Sequence, residues 1–300
     1  MVSISTSVGD IRLSNPVMLA SGILDETSGS MKRALESGAA IAVTKSIGSS
    51  ERKGYPTPVV SVIATGMLNA VGLANPGIDS FSEEFSNFPV KEKVAVSIFG
   101  KDTEEFLYLA RRVEGLGFKI LELNLSCPHV AGVGSEIGQD PDLVEDIIRE
   151  LKSRTNLQIW AKLTPSITNI VTIAKAAEKA DAYVLINTVK ATGVDIYARQ
   201  FLLSNKVGGY SGPGIKPIAL RAVYDVRKES EKDIIGVGGI NDWNDAVEFF
   251  LLGASAVQVG TGLYYRDYGI YDNINAGIAR YLEDEGFSSL DDIIGLMVKS

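Results

Sequence analysis

The chain alternates between short apolar runs and longer stretches in which apolar and polar residues mix. The short runs are rich in β-branched residues and end in polar or glycine-containing turns: PVMLAS (16–21), AIAVTK (40–45), VAVSIF (94–99), ILELNLS (120–126), IWAKLT (159–164), YVLINT (183–188), IIGVGG (234–239) and AVQVGT (256–261). Between most of them, apolar residues return at the three- and four-residue spacing of amphipathic helices, at 28–38, 103–116, 141–154, 167–180, 216–231 and 242–252. This alternation predicts a parallel sheet that is buried on both faces.

Eight such units in about 250 residues match the number and size of a closed (β/α)8 barrel, the TIM barrel of the α/β class. A doubly wound open sheet is the alternative. No linker or low-complexity tract divides the chain, so we expect one domain over residues 1–300. The segment 46–93 is too long for a plain strand-to-helix connection and is rich in Gly, Pro and Asn, which indicates a functional insertion.

Composition narrows the possible partners. The formal net charge is −8, from 29 basic and 37 acidic residues, and this acidic balance argues against nucleic acid or an anionic membrane surface. No apolar run reaches the ~18 residues of a membrane span. A single cysteine excludes an internal disulfide, and the N-terminal residues lack the pattern of a signal peptide, so we expect a cytoplasmic protein.

Candidate chemistry collects at the predicted C-terminal ends of the strands, where barrels place their functional residues. These ends read Ala20-Ser21-Gly22, Thr44-Lys45-Ser46, Ser97, Asn124 through Cys127, Lys162, Asn187-Thr188, Gly238-Gly239 and Gly260-Thr261. A buried core does not require lysines or amides there, because each would need a partner. We therefore expect the active site at this end of the barrel.

Glycine pairs follow the last two strands, in GVGGINDW and VQVGTGLY. Glycines at these two positions let backbone N–H groups approach a phosphate, and a helix that starts near Asp242 would add its dipole. The sequence therefore predicts a phosphorylated ligand, with simple tight turns as the alternative. GVGGIN does not match the G-x-G-x-x-G of a dinucleotide-binding fold.

Lysines and asparagines at the strand ends suggest how a ring-shaped ligand would be bound. Lys45 or Lys162 would stabilise negative charge that develops on an electron-rich ring, or would bind an anionic substrate. The alternatives are that either lysine forms a Schiff base, as in a lyase, or lies on the surface. Asn69, Asn124 and Asn187 each offer a donor and an acceptor to a planar ring with alternating N–H and C=O groups, although Asn69 also suits a turn.

The only cysteine and the only histidine, Cys127 and His129, lie two residues apart. Zinc needs three or four ligands, so these two residues do not make a zinc site. A nucleophilic pair, a thiol that acts as general base, and an inert buried cysteine all remain open. The following glycine-rich sequence, VAGVGSEIG, predicts a loop rather than core.

These motifs resemble the dihydroorotate dehydrogenases, specifically the soluble type 1 enzymes nearest the 1B group. The resemblance runs through most of the chain, at LASG (19–22), TKS (44–46), GMLNAVGLANPG (66–77), NLSCP (124–128), AKLTP (161–165), NT (187–188), GGYSGPGIKPIALR (208–221), GVGGI (236–240) and VGT (259–261). It implies a single FMN-binding (β/α)8 barrel with an N-terminal β-hairpin and inserted active-site loops. The family oxidises dihydroorotate to orotate in pyrimidine synthesis.

The resemblance also implies residue roles. Cys127 is similar to the general base that removes the proton from substrate C5 while hydride passes from C6 to the flavin. The positions that resemble orotate contacts are Lys45, Asn69, Ala70, Val71, Gly72, Leu73, Asn124, Asn187 and Thr188. The positions that resemble FMN contacts are Ser21, Lys45, Ser46, Ser97, Asn124, Lys162, Ile186, Gly212, Gly238, Gly239, Gly260 and Thr261.

The chain departs from the family pattern at two positions. The family usually has Asn at the positions of His129, next to the substrate, and Ser97, next to the flavin. SCPH, GQDP (138–141) and AKLTP also resemble the pyrimidine-reducing barrel of dihydropyrimidine dehydrogenase. An FMN-dependent reductase of uracil or thymine is therefore the nearest alternative; a flavin-free Schiff-base lyase and a non-catalytic binding barrel are the others.

The resemblance also implies a partner subunit that accepts electrons from the flavin. A 1B enzyme is a homodimer that passes electrons to a second subunit with FAD and a [2Fe–2S] cluster, in a heterotetramer. With one cysteine, this chain cannot hold such a cluster itself. Fumarate or a quinone would be the acceptor if no such subunit exists.

Overall fold

The computed structural model describes residues 2–126 and 137–299 of the chain. An N-terminal β-hairpin comes first, formed by β1 (Thr6–Val8) and β2 (Ile11–Leu13). The last residues of the two strands, Val8 in β1 and Leu13 in β2, are buried among side chains of the barrel interior. The predicted hairpin is therefore present and packs against the barrel.

Parallel strands close into a barrel in the described part of the chain. In chain order they are β3 (Val17–Leu19), β4 (Ala42–Val43), β7 (Val94–Ile98), β8 (Ile120–Asn124), β9 (Gln158–Leu163), β10 (Ala182–Leu185), β15 (Asp233–Val237) and β16 (Ala256–Val259). β16 pairs with β3 and completes the ring. Each predicted apolar run overlaps one barrel strand, so the (β/α)8 barrel is confirmed and the open sheet is wrong.

Helices surround the barrel and cover the outer faces of its strands. They are α1 (Ser28–Glu36), α2 (Gly77–Phe85), α3 (Thr103–Gly115), α4 (Pro141–Arg154), α5 (Ile170–Ala176), α6 (Lys216–Arg227), α7 (Trp243–Leu251), α8 (Thr261–Arg266) and α9 (Ile270–Asp284). Short 3-10 turns occur at Lys91–Lys93, Ile137–Gln139, Pro213–Ile215 and Leu290–Asp292. In α4, Asp140 caps the first turn, and the helix buries one stripe: Val144, Ile147, Ile148 and Leu151.

All of the predicted helical segments contain a helix, but their bounds and number differ from the prediction. α5 begins at Ile170 rather than at 167, because the side chain of Asn169 accepts the N–H of Val171 and caps the helix there. The prediction missed α2, α8 and α9. α8 has too few residues to show a periodic pattern. α9 does show one, since Ile270, Ile274 and Ile278 are buried at four-residue spacing.

A second, antiparallel sheet is built from two insertions. β5 (Val60–Ile63) and β6 (Gly66–Asn69) lie within 46–93, and β11 (Val189–Thr192) and β14 (Val207–Ser211) follow β10. The strand order is β11-β14-β6-β5. A short hairpin of β12 (Val194–Asp195) and β13 (Gln200–Phe201) separates β11 from β14 in the chain. We call the four-stranded unit the upper sheet, because it borders a cavity at the C-terminal ends of the barrel strands.

The barrel interior changes character along its axis. Near the N-terminal hairpin it is apolar, with Met18, Val43, Trp160 and Ile235 among the buried side chains. Toward the C-terminal ends it contains buried polar groups, including Glu122, Lys162 and Gln258. In the described ranges, we find no helix with the length and apolar character needed to span a membrane.

Candidate active site

A cavity of about 1050 Å³ lies at the C-terminal ends of the barrel strands, below the upper sheet. Its volume is at the upper end of the range typical of small-molecule sites. It is lined by these predicted site residues: Ser21, Lys45, Ser46, Asn69, Ala70, Val71, Gly72, Leu73, Asn124, Lys162, Ile186, Asn187, Thr188, Gly212, Gly238, Gly239, Gly260 and Thr261. The fold therefore brings together residues from positions far apart in the sequence. Cys127 and His129 lie outside the described residues.

Side-chain amides and hydroxyls form a hydrogen-bonded chain along the cavity wall. The Asn187 Nδ2 group donates to Asn124 Oδ1 at 3.2 Å and to Ser126 Oγ at 2.9 Å. Asn124 Nδ2 donates in turn to Ser46 Oγ at 3.1 Å, and Ser46 Oγ lies 2.8 Å from Ser97 Oγ. Ser97 is fully buried beneath Ser46, so among the described residues it supports the cavity wall rather than forming its surface. These bonds fix the orientation of both asparagine side chains.

Lys162 is held at the bottom of the cavity by two buried side chains. Its Nζ lies 3.1 Å from Glu122 Oε1 and 3.4 Å from Gln258 Oε1. Gln258 Nε2 donates to the other carboxylate oxygen, Glu122 Oε2, at 2.7 Å. We call Glu122, Lys162 and Gln258 the floor triad. It gives Lys162 a fixed position with a counter-charge beside it.

Lys45 is held more loosely, on the other side of the strand-end layer. Its Nζ lies 3.5 Å from Glu26 Oε1, and the Glu26 side chain is mostly exposed. The loop after β3 supports Lys45 through the main chain, since Asp25 O accepts the Lys45 N–H at 3.1 Å. Asp25 also accepts the N–H of Gly22. Desolvation of this buried carboxyl raises the pKa of Asp25 to about 6, against the lowering effects of the Gly22 hydrogen bond and the Lys45 charge.

Glycines after β15 and β16 form a cradle of backbone N–H groups. Among the described residues, none accepts a hydrogen bond from the N–H of Gly238, Gly239, Thr261 or Gly262. Gly239 has φ +78, and a Cβ there would lie 2.7 Å from Lys216 Cβ and 2.9 Å from Gly212 O. Only glycine fits at that position. Free N–H groups beside a cavity are suited to binding a phosphate.

The sequence predicted that the helix starting near Asp242 would add its dipole to this cradle, and the structure differs from that prediction. The first turn of α7 is already capped, because Asp242 accepts the N–H groups of Asn244 and Asp245. Asp245 accepts the N–H groups of Asn241 and Asp242. With two carboxylates at its N-terminus, α7 offers little to an anion. Two of the free N–H groups, those of Thr261 and Gly262, belong instead to the start of α8.

Several cavity residues were missed by the sequence analysis. Arg52, Lys53, Lys190 and Glu122 line the cavity. The glutamate in the middle of the apolar run ILELN is the signal that could have identified Glu122, because a charge that is buried inside a barrel needs a partner. Arg52 and Lys53 lie in the long segment 46–93, where no periodic pattern assigned positions to individual side chains.

Comparisons with known proteins agree with this geometry. The family model for dihydroorotate dehydrogenase matches residues 3–282. The chain is 52% identical over 300 residues to the dihydroorotate dehydrogenase B (NAD(+)) catalytic subunit of Thermoplasma volcanium, with all of both chains covered. It is 51% identical over 291 residues to the protein of that name from Pyrococcus horikoshii, covering 96% of each. The counterpart in Methanocaldococcus jannaschii is 41% identical over 300 residues, covering 98% of this chain and 97% of its own. The chain belongs to the dihydroorotate dehydrogenase family.

Proposed function

We propose that the chain oxidises dihydroorotate to orotate in pyrimidine synthesis, as the catalytic subunit of a type 1B enzyme with one bound FMN. The observation that carries this proposal is the composition of one cavity. A cradle of free N–H groups, a buried lysine and a chain of oriented amides all border it. Family membership supports the same reaction.

The residues at the cavity fit FMN. The free N–H groups after β15 and β16 suit a phosphate, and only glycine fits at Gly239. Lys162 supplies a cation that would offset negative charge on the flavin ring, and the bound flavin would accept hydride from the substrate. The residues that would hold FMN are Ser21, Lys45, Ser46, Asn124, Lys162, Ile186, Gly212, Gly238, Gly239, Gly260 and Thr261, with Ser97 as a buried support.

The substrate would bind beside the upper sheet. Dihydroorotate is an amide-containing ring with a carboxylate. Asn69, Asn124 and Asn187 offer amides to the ring, and Lys45 offers a cation to the carboxylate. The backbone of Ala70, Val71, Gly72 and Leu73 and the side chain of Thr188 complete the proposed contacts.

Cys127 is the proposed general base. It follows Ser126, which accepts a hydrogen bond from Asn187 and lines the cavity. The thiolate would take the proton from substrate C5 while hydride leaves C6. The charge that arises at the substrate would be offset by the nearby cations.

A partner subunit is part of the proposal. The relatives are named catalytic subunits of an NAD(+) enzyme, and this chain has one cysteine, too few to ligate an iron–sulfur cluster. We propose a cytoplasmic homodimer that assembles with a second subunit, which carries FAD and a [2Fe–2S] cluster and passes electrons to NAD⁺.

Spectroscopy of the purified protein tests the proposed reaction. The FMN-supplemented protein should show flavin absorbance, and anaerobic dihydroorotate should bleach it. A folded preparation without flavin bands would contradict FMN binding and would reopen the Schiff-base lyase. Bleaching by dihydrouracil or dihydrothymine, but not by dihydroorotate, would favour the pyrimidine reductase.

Reoxidation assays with NAD⁺, fumarate and a quinone, with and without the partner, would identify the electron acceptor.

A further inference from the structure

The floor triad joins three strands across the inside of the barrel. Glu122 is on β8 and Lys162 is on the neighbouring strand β9. Gln258 is on β16, which lies four strands from β8 in either direction around the closed order β10-β15-β16-β3-β4-β7-β8-β9. The hydrogen bond from Gln258 Nε2 to Glu122 Oε2, 2.7 Å long, therefore spans the barrel. The three side chains form one layer above the apolar part of the interior.

Every polar side-chain atom of the triad takes part in a hydrogen bond. Both oxygens of Glu122 accept a bond, and both polar atoms of Gln258 take part. Lys162 uses two of its three N–H donors within the described part of the chain. Because Lys162 also lines the cavity, its third donor is available to a ligand there.

Stability alone does not explain this arrangement. Replacing a buried ion pair with apolar side chains of similar volume is often neutral or stabilising. The barrel interior on the hairpin side of the triad is filled by such side chains, including Met18 and Trp160. Another apolar layer would have closed the barrel equally well, so the charged layer points to a role in the cavity above it.

We infer that Glu122 and Gln258 are positioning residues that aim the Lys162 ammonium at the flavin and limit the positive charge that reaches it. The inference rests on the proposed FMN site. Lys162 alone would strongly favour the reduced, more negative ring. With the Glu122 carboxylate 3.1 Å from Nζ, the net charge of the floor triad is close to zero. The flavin then keeps a lower midpoint potential, so that it can pass its electrons on.

Two charge variants of the floor triad should shift the midpoint potential of bound FMN in opposite directions. Glu122→Gln removes the counter-charge and should raise the two-electron midpoint potential of bound FMN. We expect about a tenfold gain in affinity for reduced over oxidised flavin, or about 30 mV for a two-electron couple. Gln258→Glu adds a second carboxylate and should lower the potential by a similar amount. Redox titration at pH 7 measures both shifts without any turnover.

The exchanged double variant, Glu122→Gln with Gln258→Glu, is the sharpest test. The carboxylate would then lie on β16, where it would accept from Lys162 and from the amide group now on β8. The oxygen of that amide would accept from Lys162 in turn. Charge and hydrogen bonds are both restored, so the potential should return to within a few millivolts of the wild-type value. A merely structural role predicts additive damage from the two substitutions instead of this recovery.

Asp181→Asn is the matched control. Asp181 accepts from Lys152 Nζ at 2.8 Å and from the N–H of Ile159 at 2.7 Å, outside the cavity. Its substitution should lower the melting temperature and leave the potential unchanged. If Glu122→Gln fails to fold, Gln258→Glu and the exchanged variant still decide the question.

The two proposals fail in different ways. A wild-type protein without FMN overturns the proposed function. A wild-type protein that binds FMN, with potentials in Glu122→Gln and Gln258→Glu that match the wild type, overturns only the inference. The inference is also overturned if the midpoint potential of the exchanged variant differs from the wild-type value by as much as the potentials of the two single variants do.

Discussion

The barrel and the upper sheet border the same cavity but hold their side chains in different ways. In the barrel, Lys162 is 5% exposed and contacts two buried groups, Glu122 and Gln258. In the upper sheet, Asn69 is half-buried and donates one hydrogen bond, from Nδ2 to Gly209 O at 3.3 Å. The Lys162 ammonium is therefore fixed before any ligand binds, whereas the Asn69 side chain is held by fewer contacts.

This difference suits two kinds of ligand. A resident cofactor gains from fixed, preorganised groups, because none of its binding energy is spent on ordering them. A substrate that must enter and leave gains from groups that adjust. We therefore expect changes in the floor triad and in the glycine cradle to affect FMN, and changes in the upper sheet to affect orotate. The predictions below test that division.

The largest expected effect comes from Cys127. This residue belongs neither to a barrel strand nor to the upper sheet, because it lies in the segment that follows β8. Cys127→Ala should slow flavin reduction by dihydroorotate by about 10²–10⁴-fold, because a general base is lost. FMN content and orotate binding should stay near wild type. Stopped-flow absorbance measures the rate, and a wild-type rate that rises with pH along a thiol titration would support the role.

Two further variants separate Cys127 from His129. Cys127→Ser should retain more activity at high pH than Cys127→Ala, since a hydroxyl can still accept a proton there. His129→Asn restores the commoner family residue and should change orotate affinity only modestly. If His129→Asn abolished the pH dependence, the two residues would act as one catalytic unit.

Asp25 contrasts with the barrel carboxylate Glu122. Both oxygens of Glu122 are paired, but Asp25 Oδ1 has no partner within the described chain. Burial raises the pKa of Asp25 from 3.8 to about 6, so the folded state binds its proton more tightly than the unfolded state. The protonated group stabilises the fold below about pH 4, and that contribution is lost as the pH rises through about 6.

Asp25→Asn should therefore gain stability relative to the wild type as the pH rises. Asparagine keeps an acceptor for Gly22 and carries no charge. The difference in free energy of unfolding, variant minus wild type, should increase by up to about 3 kcal/mol between pH 4 and pH 7. Denaturant titrations at several pH values measure it. Glu26→Gln, which removes an exposed carboxylate beside the same loop, is the control; an equal pH dependence there would contradict the assignment to Asp25.

Gly260→Ala tests the barrel side of the comparison. A Cβ at Gly260 would lie 3.6 Å from Ala20 Cβ, an ordinary contact, so the variant should fold. Because Gly260 lines the cavity next to the free N–H groups of α8, the methyl group should weaken FMN binding about tenfold, a cost of about 1.4 kcal/mol. Gly269→Ala is the control, since a Cβ there meets no atom within 4 Å. Equal FMN dissociation constants for the two variants would contradict the phosphate cradle.

Much of the fold and some of the site could be predicted from the sequence. β-branched runs marked every barrel strand, because those strands are buried on both faces. Strand-end positions such as Lys162 and Asn187 followed from the barrel, because parallel strands end at the same edge. The hydrogen-bond partners of these residues could not be predicted in the same way. Gln258 meets Glu122 across the barrel, and no local pattern encodes that contact.

The upper sheet was hidden for a similar reason. Its neighbours β6 and β14 are far apart in the chain, and Asn69 pairs with Gly209 through an antiparallel register. β5, β11 and β14 are partly exposed and lack the continuous apolar runs that marked the barrel, whereas β6 is mostly buried but has only four residues. A pattern of apolar positions reports burial, and it is least informative where a binding site keeps side chains open to a ligand.

Asn69→Ala tests the upper-sheet side and has the smallest expected effect. The Asn69 amide has one hydrogen bond in the described structure, so its removal leaves few buried groups unpaired. A neutral hydrogen bond contributes about 0.5–1.5 kcal/mol, so orotate should bind about 2- to 10-fold more weakly. The FMN dissociation constant should match that of the wild type. Flavin difference spectra titrated with orotate measure the first quantity, and fluorescence of released FMN measures the second. Loss of FMN from Asn69→Ala would show that the upper sheet holds the cofactor as well, and the division between a fixed barrel site and an adjustable sheet site would then be wrong.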